Sequence, residues 1–263
     1  MRCRIVQGAL VLALSAPGTP ARADWPEVQK RGALRVLVML DTRRPEFFSL
    51  KPDTPGFDHE VLQGFASLHK ITLDVKPVES WDALLPTLEA GKGDVIAGRF
   101  TVTESRTKIV SFTSEVFPTR NVVINCKPHK PVTTLDALRA EKVGTIRGTS
   151  MAEAIAAAGL PNVDDGLAAG SFGEALKSGR VTAAVWGIES AIALQREDPD
   201  IQLGLFLGPP RSLAYALRKG DPELLKALNA YIDNLRKTPT WSRLVVKYFG
   251  EAAPEILKKA RTQ

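Results

Sequence analysis

The chain of 263 residues has few of the side chains that build metal or redox centres. Two cysteines and three histidines are present, and none has the paired spacing that zinc or iron–sulfur sites require. A P-loop and a dinucleotide-binding fingerprint are also missing. The sequence therefore predicts no cofactor and no metal site. A catalytic thiol is not expected either, because no histidine has a spacing that suggests a partner for it.

A strong excess of positive charge is absent once the first 23 residues are set apart. Residues 1–4 are basic, residues 5–15 are mostly apolar but too short to span a bilayer, and Ala21-Arg22-Ala23 has the form of a signal-peptidase site. We expect residues 1–23 to be a signal peptide that directs export to the periplasm. Its removal deletes three arginines and no acid, which lowers the formal net charge from +6 to +3 and argues against a nucleic-acid partner.

Beyond residue 23 no apolar run is long enough to cross a membrane, and a single cysteine, Cys126, remains. One cysteine excludes an internal disulfide, so stability must come from the burial of apolar surface. Cys126 ends a strand-like run and is expected to be a small buried hydrophobe. These features predict a soluble, exported globular protein.

What the sequence does contain is an alternation of strand and helix patterns that occurs twice. A near-continuous apolar run such as residues 33–40 is typical of a strand that is buried in a parallel sheet. The pattern predicts strands at residues 33–40, 71–75, 94–97, 142–146 and 181–185, and helices at 57–68, 81–88, 151–158, 171–176 and 189–196. The repeated order predicts two α/β lobes with mostly parallel sheets, whose strand ends face each other across a ligand-binding cleft.

One stretch, residues 94–112, carries the features of an anion-binding site. An apolar strand ends at Gly98, where the chain can turn, and Thr101 and Thr103 then precede a helical turn that contains Arg106. Hydroxyl groups, the amides of a helix start and a guanidinium together bind carboxylate or phosphate. The alternative is a strand followed by a capped surface helix with one solvated arginine.

A series of short motifs runs through the chain in a characteristic order: Leu34-Arg35-Val36, Gly56-Phe57-Asp58, Trp81-Asp82-Ala83-Leu84, Gly93-Asp94-Val95, Thr101 to Arg106, Gly148-Thr149-Ser150, Gly179-Arg180-Val181 and Trp241 to Gly250. This order resembles the family 3 extracellular solute-binding proteins, the polar amino-acid-binding proteins of ABC transporters, which have the type II periplasmic-binding fold. The resemblance implies two lobes joined by two hinge strands, with residues 24–120 and 210–263 in lobe 1 and residues 121–209 in lobe 2. It also implies a monomeric, non-enzymatic binding protein of the periplasm that captures a small carboxylate-bearing solute and hands it to an ABC permease.

The resemblance assigns roles to five residues. Arg106 is expected to pair with the ligand carboxylate, with the hydroxyl of Thr101 assisting it. Ser150, with Thr149 beside it, is expected to donate from the other lobe. Trp81 corresponds to an aromatic residue that packs on the ligand, although a core residue anchoring the short helix would look the same in sequence.

The chain departs from the family at the position that receives the ligand ammonium group. Gly187 stands where the family has an aspartate. Glu189 could supply the missing carboxylate if the register shifts, and the alternative is that Glu189 is solvated at the start of a helix. Arg44 (or Arg43) in the first loop, Arg99 and Arg147 add positive charge near the two anion-binding segments, although each could be a solvated edge residue. We therefore expect an electropositive cleft that binds an organic anion, or an acidic or unusual amino-acid-like compound.

Two other functions remain open at this point. Cyclohexadienyl dehydratases share the fold, and Glu189 is the one acid of lobe 2 that we nominate for such chemistry. A sensor or accessory binding protein without a transport role is the other alternative.

Overall fold

The computed structural model describes residues 24–168 and 170–262, and the predicted signal peptide at residues 1–23 lies outside them. The helices are α1 Trp25–Arg31, α2 Phe57–Leu68, α3 Leu84–Glu89, α4 Glu104–Thr107, α5 Leu135–Arg139, α6 Ser150–Ala157, α7 Phe172–Lys177, α8 Ile188–Glu197, α9 Pro222–Leu235, α10 Pro239–Phe249 and α11 Ala253–Arg261, with a 3₁₀ turn at Gly250–Ala252. The strands are β1 Ala33–Met39, β2 Thr72–Val78, β3 Val95–Ala97, β4 Val110–Phe112, β5 Phe117–Thr119, β6 Asn121–Cys126, β7 Val143–Gly144, β8 Val163–Asp164, β9 Ala183–Gly187, β10 Ile201–Phe206, β11 Arg211–Leu213 and β12 Ala216–Arg218.

The first sheet forms lobe 1 and has the strand order β2-β1-β3-β12-β4. Strand β1 pairs in parallel with β2 and β3, whereas β12 runs antiparallel to β3 and β4. The apolar run seen in the sequence gives β1 its buried residues, including Leu34, Val36 and Val38. Helix α2 packs beside this sheet through residues at helical spacing, among them Val61 and Phe65.

The second sheet forms lobe 2 and has the strand order β10-β6-β9-β7-β8. Strands β7, β8 and β9 are parallel, whereas β6 runs antiparallel to β9 and β10. Both sheets are therefore mixed, with the parallel strands expected from the β-α pattern and antiparallel strands beside them. Strands β6 and β12 directly follow the two segments that connect the lobes. Each therefore enters its sheet antiparallel to the neighbouring parallel strands.

The two segments that connect the lobes contain strands β5 and β11, which pair as a short antiparallel hinge sheet. Phe117 of β5 stacks on Phe249 of α10 at a centroid distance of 4.6 Å. The C-terminal helix α11 packs against both β5 and helix α8 of lobe 2. Helices α10 and α11 thus pack on the hinge strand β5, and α11 also contacts lobe 2 through α8.

The predicted fold class is confirmed, and most predicted helices and strands are present with shifted ends. Helix α11 was not predicted from the sequence, and the predicted strand at 142–146 shrinks to Val143–Gly144. The predicted lobe boundaries at residues 120 and 209 remain predictions, and they lie beside the hinge strands. None of the helices in the described part of the chain is both long and apolar enough to cross a membrane.

Candidate ligand-binding site

A polar cavity lies where the two lobes meet, and residues of both lobes line it. Its volume of about 30 Å³ is room for only a few water molecules, so the lobes are closed on each other in this structure. Strand ends and helix starts supply its walls, as expected for facing α/β sheets. The lining residues are Asp41, Trp81, Arg99, Thr101, Arg106, Thr119, Asn121, Ile146, Thr149, Ser150, Met151, Trp186, Gly187 and Glu189.

The turn after β3 is held in an unusual conformation by a buried acid. Gly98 and Arg99 both have positive φ, 82° and 68°, which strains the backbone of Arg99 because it has a Cβ atom. The backbone N–H groups of both residues donate to Oδ2 of Asp58, at 3.0 and 3.2 Å, and Tyr215 donates its hydroxyl to Oδ1. Burial raises the pKa of Asp58 to about 6, despite these hydrogen bonds. Asp58 therefore positions the turn that carries Arg99.

The Arg99 side chain crosses the cavity and joins the two lobes. Its guanidinium lies 3.2 Å from Oδ2 of Asp41 in lobe 1 and donates to Oγ of Ser190 in lobe 2 at 2.8 Å. It also lies over the ring of Trp81 at 5.9 Å. The positive charge of Arg99 is thus already compensated within the protein.

Arg106 also lies in the cavity, and its positive charge is compensated less well than that of Arg99. Helix α4 presents it, and Thr103 caps that helix by accepting from the backbone N–H of Arg106. Its guanidinium donates to the carbonyl oxygens of Thr101, at 2.8 Å, and of Gly148 in lobe 2, at 2.9 Å. The one carboxylate within salt-bridge range among the described residues is Glu153, 3.7 Å from Nε. Because burial outweighs this partner, the pKa of Arg106 is lowered to about 10.

Lobe 2 presents the start of helix α6 to the same region. Thr149 caps the helix by accepting from the N–H of Ala152, and the side chain of Asn121 donates to the carbonyl of Ser150. Oγ of Ser150 lies 3.1 Å from Oγ of Thr101, across the boundary between the lobes. A helix N-terminus beside a guanidinium is a favourable place for a carboxylate.

Glu189 turns back from the first turn of α8 into the cavity and is not solvated. It is 7% exposed, and Thr119 on hinge strand β5 donates its hydroxyl to Oε2 at 2.7 Å. A Cβ atom on Gly187 would lie 2.3 Å from Oε1 of Glu189, so the carboxylate occupies the space that a side chain at position 187 would need. Burial raises the pKa of Glu189.

Trp81 lies between the cavity and a hydrophobic core, so its contact with a ligand stays a prediction. It lines the cavity, and it packs in the small core beneath α3 at 8% exposure. Its buried indole N–H has no hydrogen-bond acceptor in the described part of the chain. Trp186 forms a second aromatic surface of the cavity and stacks on Phe172 at 4.3 Å.

Eight of the ten residues predicted for the site line the cavity, and Arg44 and Arg147 do not. Arg44 forms a bidentate ion pair with Glu197 of lobe 2, away from the cavity. Nη1 donates to Oε1 at 2.6 Å and Nη2 donates to Oε2 at 2.8 Å. Arg147 is exposed and paired with Asp165 at 2.9 Å. The expectation of an electropositive cleft is therefore wrong, because acids that are distant in sequence neutralise three of the four arginines.

Sequence reasoning missed the lining residues Asp41, Thr119, Asn121, Ile146, Met151 and Trp186. Asp41 directly follows the strand-like run at residues 33–40, so a polar residue at a strand end was a usable signal. Thr119 ends hinge strand β5 and Asn121 begins β6, and nothing in their local sequence indicates that they line the cavity.

Two mixed α/β lobes, joined by a short hinge sheet and enclosing a polar cavity, define a solute-binding protein with the type II periplasmic-binding fold. The sequence profile of the bacterial extracellular solute-binding proteins, family 3, matches residues 35–251. The chain belongs to this family.

Known relatives include binding proteins and a longer enzyme. The chain is 26% identical over 264 residues to the histidine-binding periplasmic protein of Escherichia coli (strain K12), a match that covers 95% of this chain and 97% of that protein. It is 26% identical over 223 residues to the membrane-bound lytic murein transglycosylase F of Desulfosudis oleivorans, a match to 82% of this chain but only 48% of the enzyme. The chain thus spans about half the length of that transglycosylase.

A solved structure is also similar over most of the chain. It is that of an ancestral amino acid-binding protein described as a precursor of cyclohexadienyl dehydratase, with a TM-score of 0.76 and 26% identity. The similarity covers 85% of this chain and 98% of the solved one.

Proposed function

We propose that this protein captures a small carboxylate-bearing solute between its two lobes and delivers it to the permease of an ABC transporter. The observation that carries the proposal is the burial of the Arg106 side chain without a close ion-pair partner among the described residues. Arg106 is 5% exposed in the inter-lobe cavity, and its one ion-pair partner among the described residues, Glu153, is 40% exposed and 3.7 Å away.

The physical argument is a balance of desolvation and pairing. A buried cation costs several kcal/mol unless a well-placed anion offsets that cost. The carbonyl oxygens of Thr101 and Gly148 accept one hydrogen bond each, from Nη1 and Nη2 of Arg106, but supply no full negative charge. A ligand carboxylate can replace the Gly148 carbonyl as acceptor, and the planar guanidinium fork suits it. The hydroxyl groups of Thr101 and Ser150 are next to this position.

We further propose that the protein works as a monomer in the periplasm. The family membership and the periplasmic relative with nearly complete coverage support this location. The predicted signal peptide at residues 1–23 is consistent with it.

A calorimetric screen tests the proposal. Protein purified from the periplasm of an expressing bacterium is titrated with the standard amino acids, with cystine and with simple mono- and dicarboxylates. We expect saturable one-to-one binding of at least one carboxylate, and loss of its uptake by cells in which the gene is deleted. Failure of every carboxylate in the screen to bind would contradict the proposal.

A dehydratase is the second candidate, and Glu189 is the observation that favours it. A buried carboxyl group with a raised pKa can protonate a leaving hydroxyl group, and it lines the cavity. The hydroxyl of Thr119, however, donates to this carboxylate, which stabilises the ionised form rather than the acid. Turnover of prephenate or arogenate that disappears in Glu189→Gln would favour the enzyme over the binding protein.

A further inference from the structure

We propose that Glu153 of lobe 2 closes the solvent edge of the ligand cavity by binding the segment of lobe 1 that carries Arg106, and that this contact slows the release of the captured solute. The inference rests on the proposed function, because it assigns a residue that keeps the solute in place. Glu153 is a positioning residue rather than a ligand contact, since it is not among the residues that line the cavity.

The first argument is the set of contacts that Glu153 makes across the boundary between the lobes. Its side chain extends from the first turn of helix α6. Oε2 accepts a hydrogen bond from Oγ of Ser105 at 2.9 Å, and Oε1 lies 3.4 Å from Oγ of Thr103. Oε1 also lies 3.7 Å from Nε of Arg106. Both oxygens of one carboxylate of lobe 2 therefore contact lobe 1.

The second argument is that these contacts converge on the start of helix α4, which presents Arg106 to the cavity. Thr103 is the N-cap of this helix, and its hydroxyl accepts from the backbone N–H of Arg106 at 3.4 Å. The hydroxyl oxygens of Thr103 and Ser105 lie 2.8 Å apart. Glu153 thus contacts both the capping residue and the functional side chain of one short helix. Opening of the cleft separates these groups, so the contact adds to the barrier for ligand release.

The third argument is that Glu153 does not use the nitrogen atoms that we assign to the ligand. Glu153 approaches Nε of Arg106, whereas Nη1 and Nη2 donate to the carbonyl oxygens of Thr101 and Gly148. A guanidinium has enough N–H donors to bind two anions at different edges. The side chain of Glu153 is 40% exposed, so water screens its repulsion of a ligand carboxylate. Glu153 can therefore hold the lobes together while the ligand is bound.

The experiment measures association and release rates by stopped-flow tryptophan fluorescence, since Trp81 and Trp186 line the cavity. The probe is the compound that binds wild type most tightly among the standard amino acids, cystine and the mono- and dicarboxylates of the calorimetric screen. In Glu153→Ala we expect release to be about fivefold faster and association to change by less than about twofold. Ser105→Ala should have the same effect, because it removes the donor of the same hydrogen bond. The double variant should release the probe no faster than either single variant, within about twofold.

A conservative variant and a matched control separate this contact from a general effect of charge. Glu153→Gln keeps an oxygen that accepts from Ser105, so its release rate should stay within about twofold of wild type. Glu104→Ala removes an exposed acid of helix α4 whose ion pair with Lys108 stays within lobe 1, and it should leave both rates unchanged. Thermal unfolding shows which variants are folded, and Ser105→Ala decides the question from the other lobe if Glu153→Ala is not.

The outcomes separate this inference from the function on which it rests. Unchanged release in folded Glu153→Ala or Ser105→Ala would overturn the role of Glu153 and leave carboxylate capture intact. Tighter binding in Glu153→Ala would overturn it as well, because Glu153 would then compete with the ligand for Arg106. Additive effects of the two alanine substitutions, or release from Glu153→Gln as fast as from Glu153→Ala, would also contradict it. Absence of any carboxylate binding by the wild-type protein would overturn both.

Discussion

Oγ of Ser150, in lobe 2, lies 3.1 Å from Oγ of Thr101, in lobe 1, directly beside the predicted carboxylate site. Thr101 also pairs with Leu213 of hinge strand β11, so the same residue contacts the opposite lobe and the hinge. Arg106 makes a second link, because it donates to the carbonyl of Gly148 across the same boundary. The groups that we propose as ligand contacts therefore also link the lobes, which is the geometry that a hinge-closing capture protein requires.

Gly148 should control how closely the lobes approach. Its φ is +75°, and a Cβ atom there would lie 2.6 Å from the backbone nitrogen of Asp82 in lobe 1. We expect Gly148→Ala to weaken ligand binding about tenfold, because backbone atoms on both sides cannot move apart while the lobes stay closed.

The matched control for this effect is Gly159→Ala. Gly159 also has a positive φ, +63°, but a Cβ atom at this position would meet no atom of the described residues beyond its chain neighbours within 4 Å. This substitution should lower thermal stability through the same backbone strain without changing affinity. Equal affinities of Gly148→Ala and Gly159→Ala would show that the close approach to Asp82 does not matter.

The ion pair between Arg44 and Glu197 should hold the lobes together from a distance. Both terminal nitrogens of Arg44 contact the Glu197 carboxylate, which is 61% exposed and therefore partly screened by water. We expect Glu197→Gln to weaken ligand binding about fivefold, which corresponds to ~1 kcal/mol. The difference from wild type should shrink at high salt.

A comparable ion pair within one lobe serves as the control. Asp136 pairs with Arg139 inside helix α5 at 2.7 Å, and both are exposed. Asp136→Asn should leave the affinity unchanged. If it weakens binding as much as Glu197→Gln does, closure is not what the Arg44 contact supports.

Asp58 should make stability depend on pH in a defined direction. Its pKa is raised from 3.8 to about 6 by burial, so between these values the folded protein holds a proton that the unfolded chain has lost. The free energy of unfolding must then fall as the pH rises through this window, by about 3 kcal/mol in total. Urea unfolding of wild type and Asp58→Asn measures this directly.

The variant should lose that contribution while keeping the turn at Gly98 and Arg99. An amide oxygen can still accept from both backbone N–H groups, which reach the same oxygen of Asp58. We expect the stability of wild type relative to Asp58→Asn to decrease between pH 4 and pH 7. Parallel pH profiles of the two proteins would refute the role assigned to this carboxyl group.

The sequence predicted those parts of the site that lie within one short motif. Thr101 and Arg106 are neighbours along the chain, and Thr149 and Ser150 follow one strand, so local pattern and family resemblance were enough to find them. The fold class followed from the repeated β-α order, since sheet and helix periodicity are local properties.

The parts that could not be predicted depend on pairing between distant segments. Arg44 and Arg147 are visible as cations in the sequence, but their partners Glu197 and Asp165 lie in other segments, so the charge of the cleft was overestimated. Asp58 supports a turn that lies 40 positions away along the chain. The orientation of Glu189 depends on the missing side chain at Gly187, and the sequence shows the glycine but not what fills its space.

The most direct test of carboxylate capture is a calorimetric titration of wild type, Arg106→Lys and Arg106→Met with the best-binding carboxylate. Arg106→Met should bind at least about a hundredfold more weakly, and Arg106→Lys should fall between, because it keeps the charge but loses the planar fork. Arg139→Met, which removes an exposed arginine of helix α5, should bind like wild type. Unchanged affinity in a folded Arg106→Met protein would contradict the account, because the ligand carboxylate would then be held elsewhere.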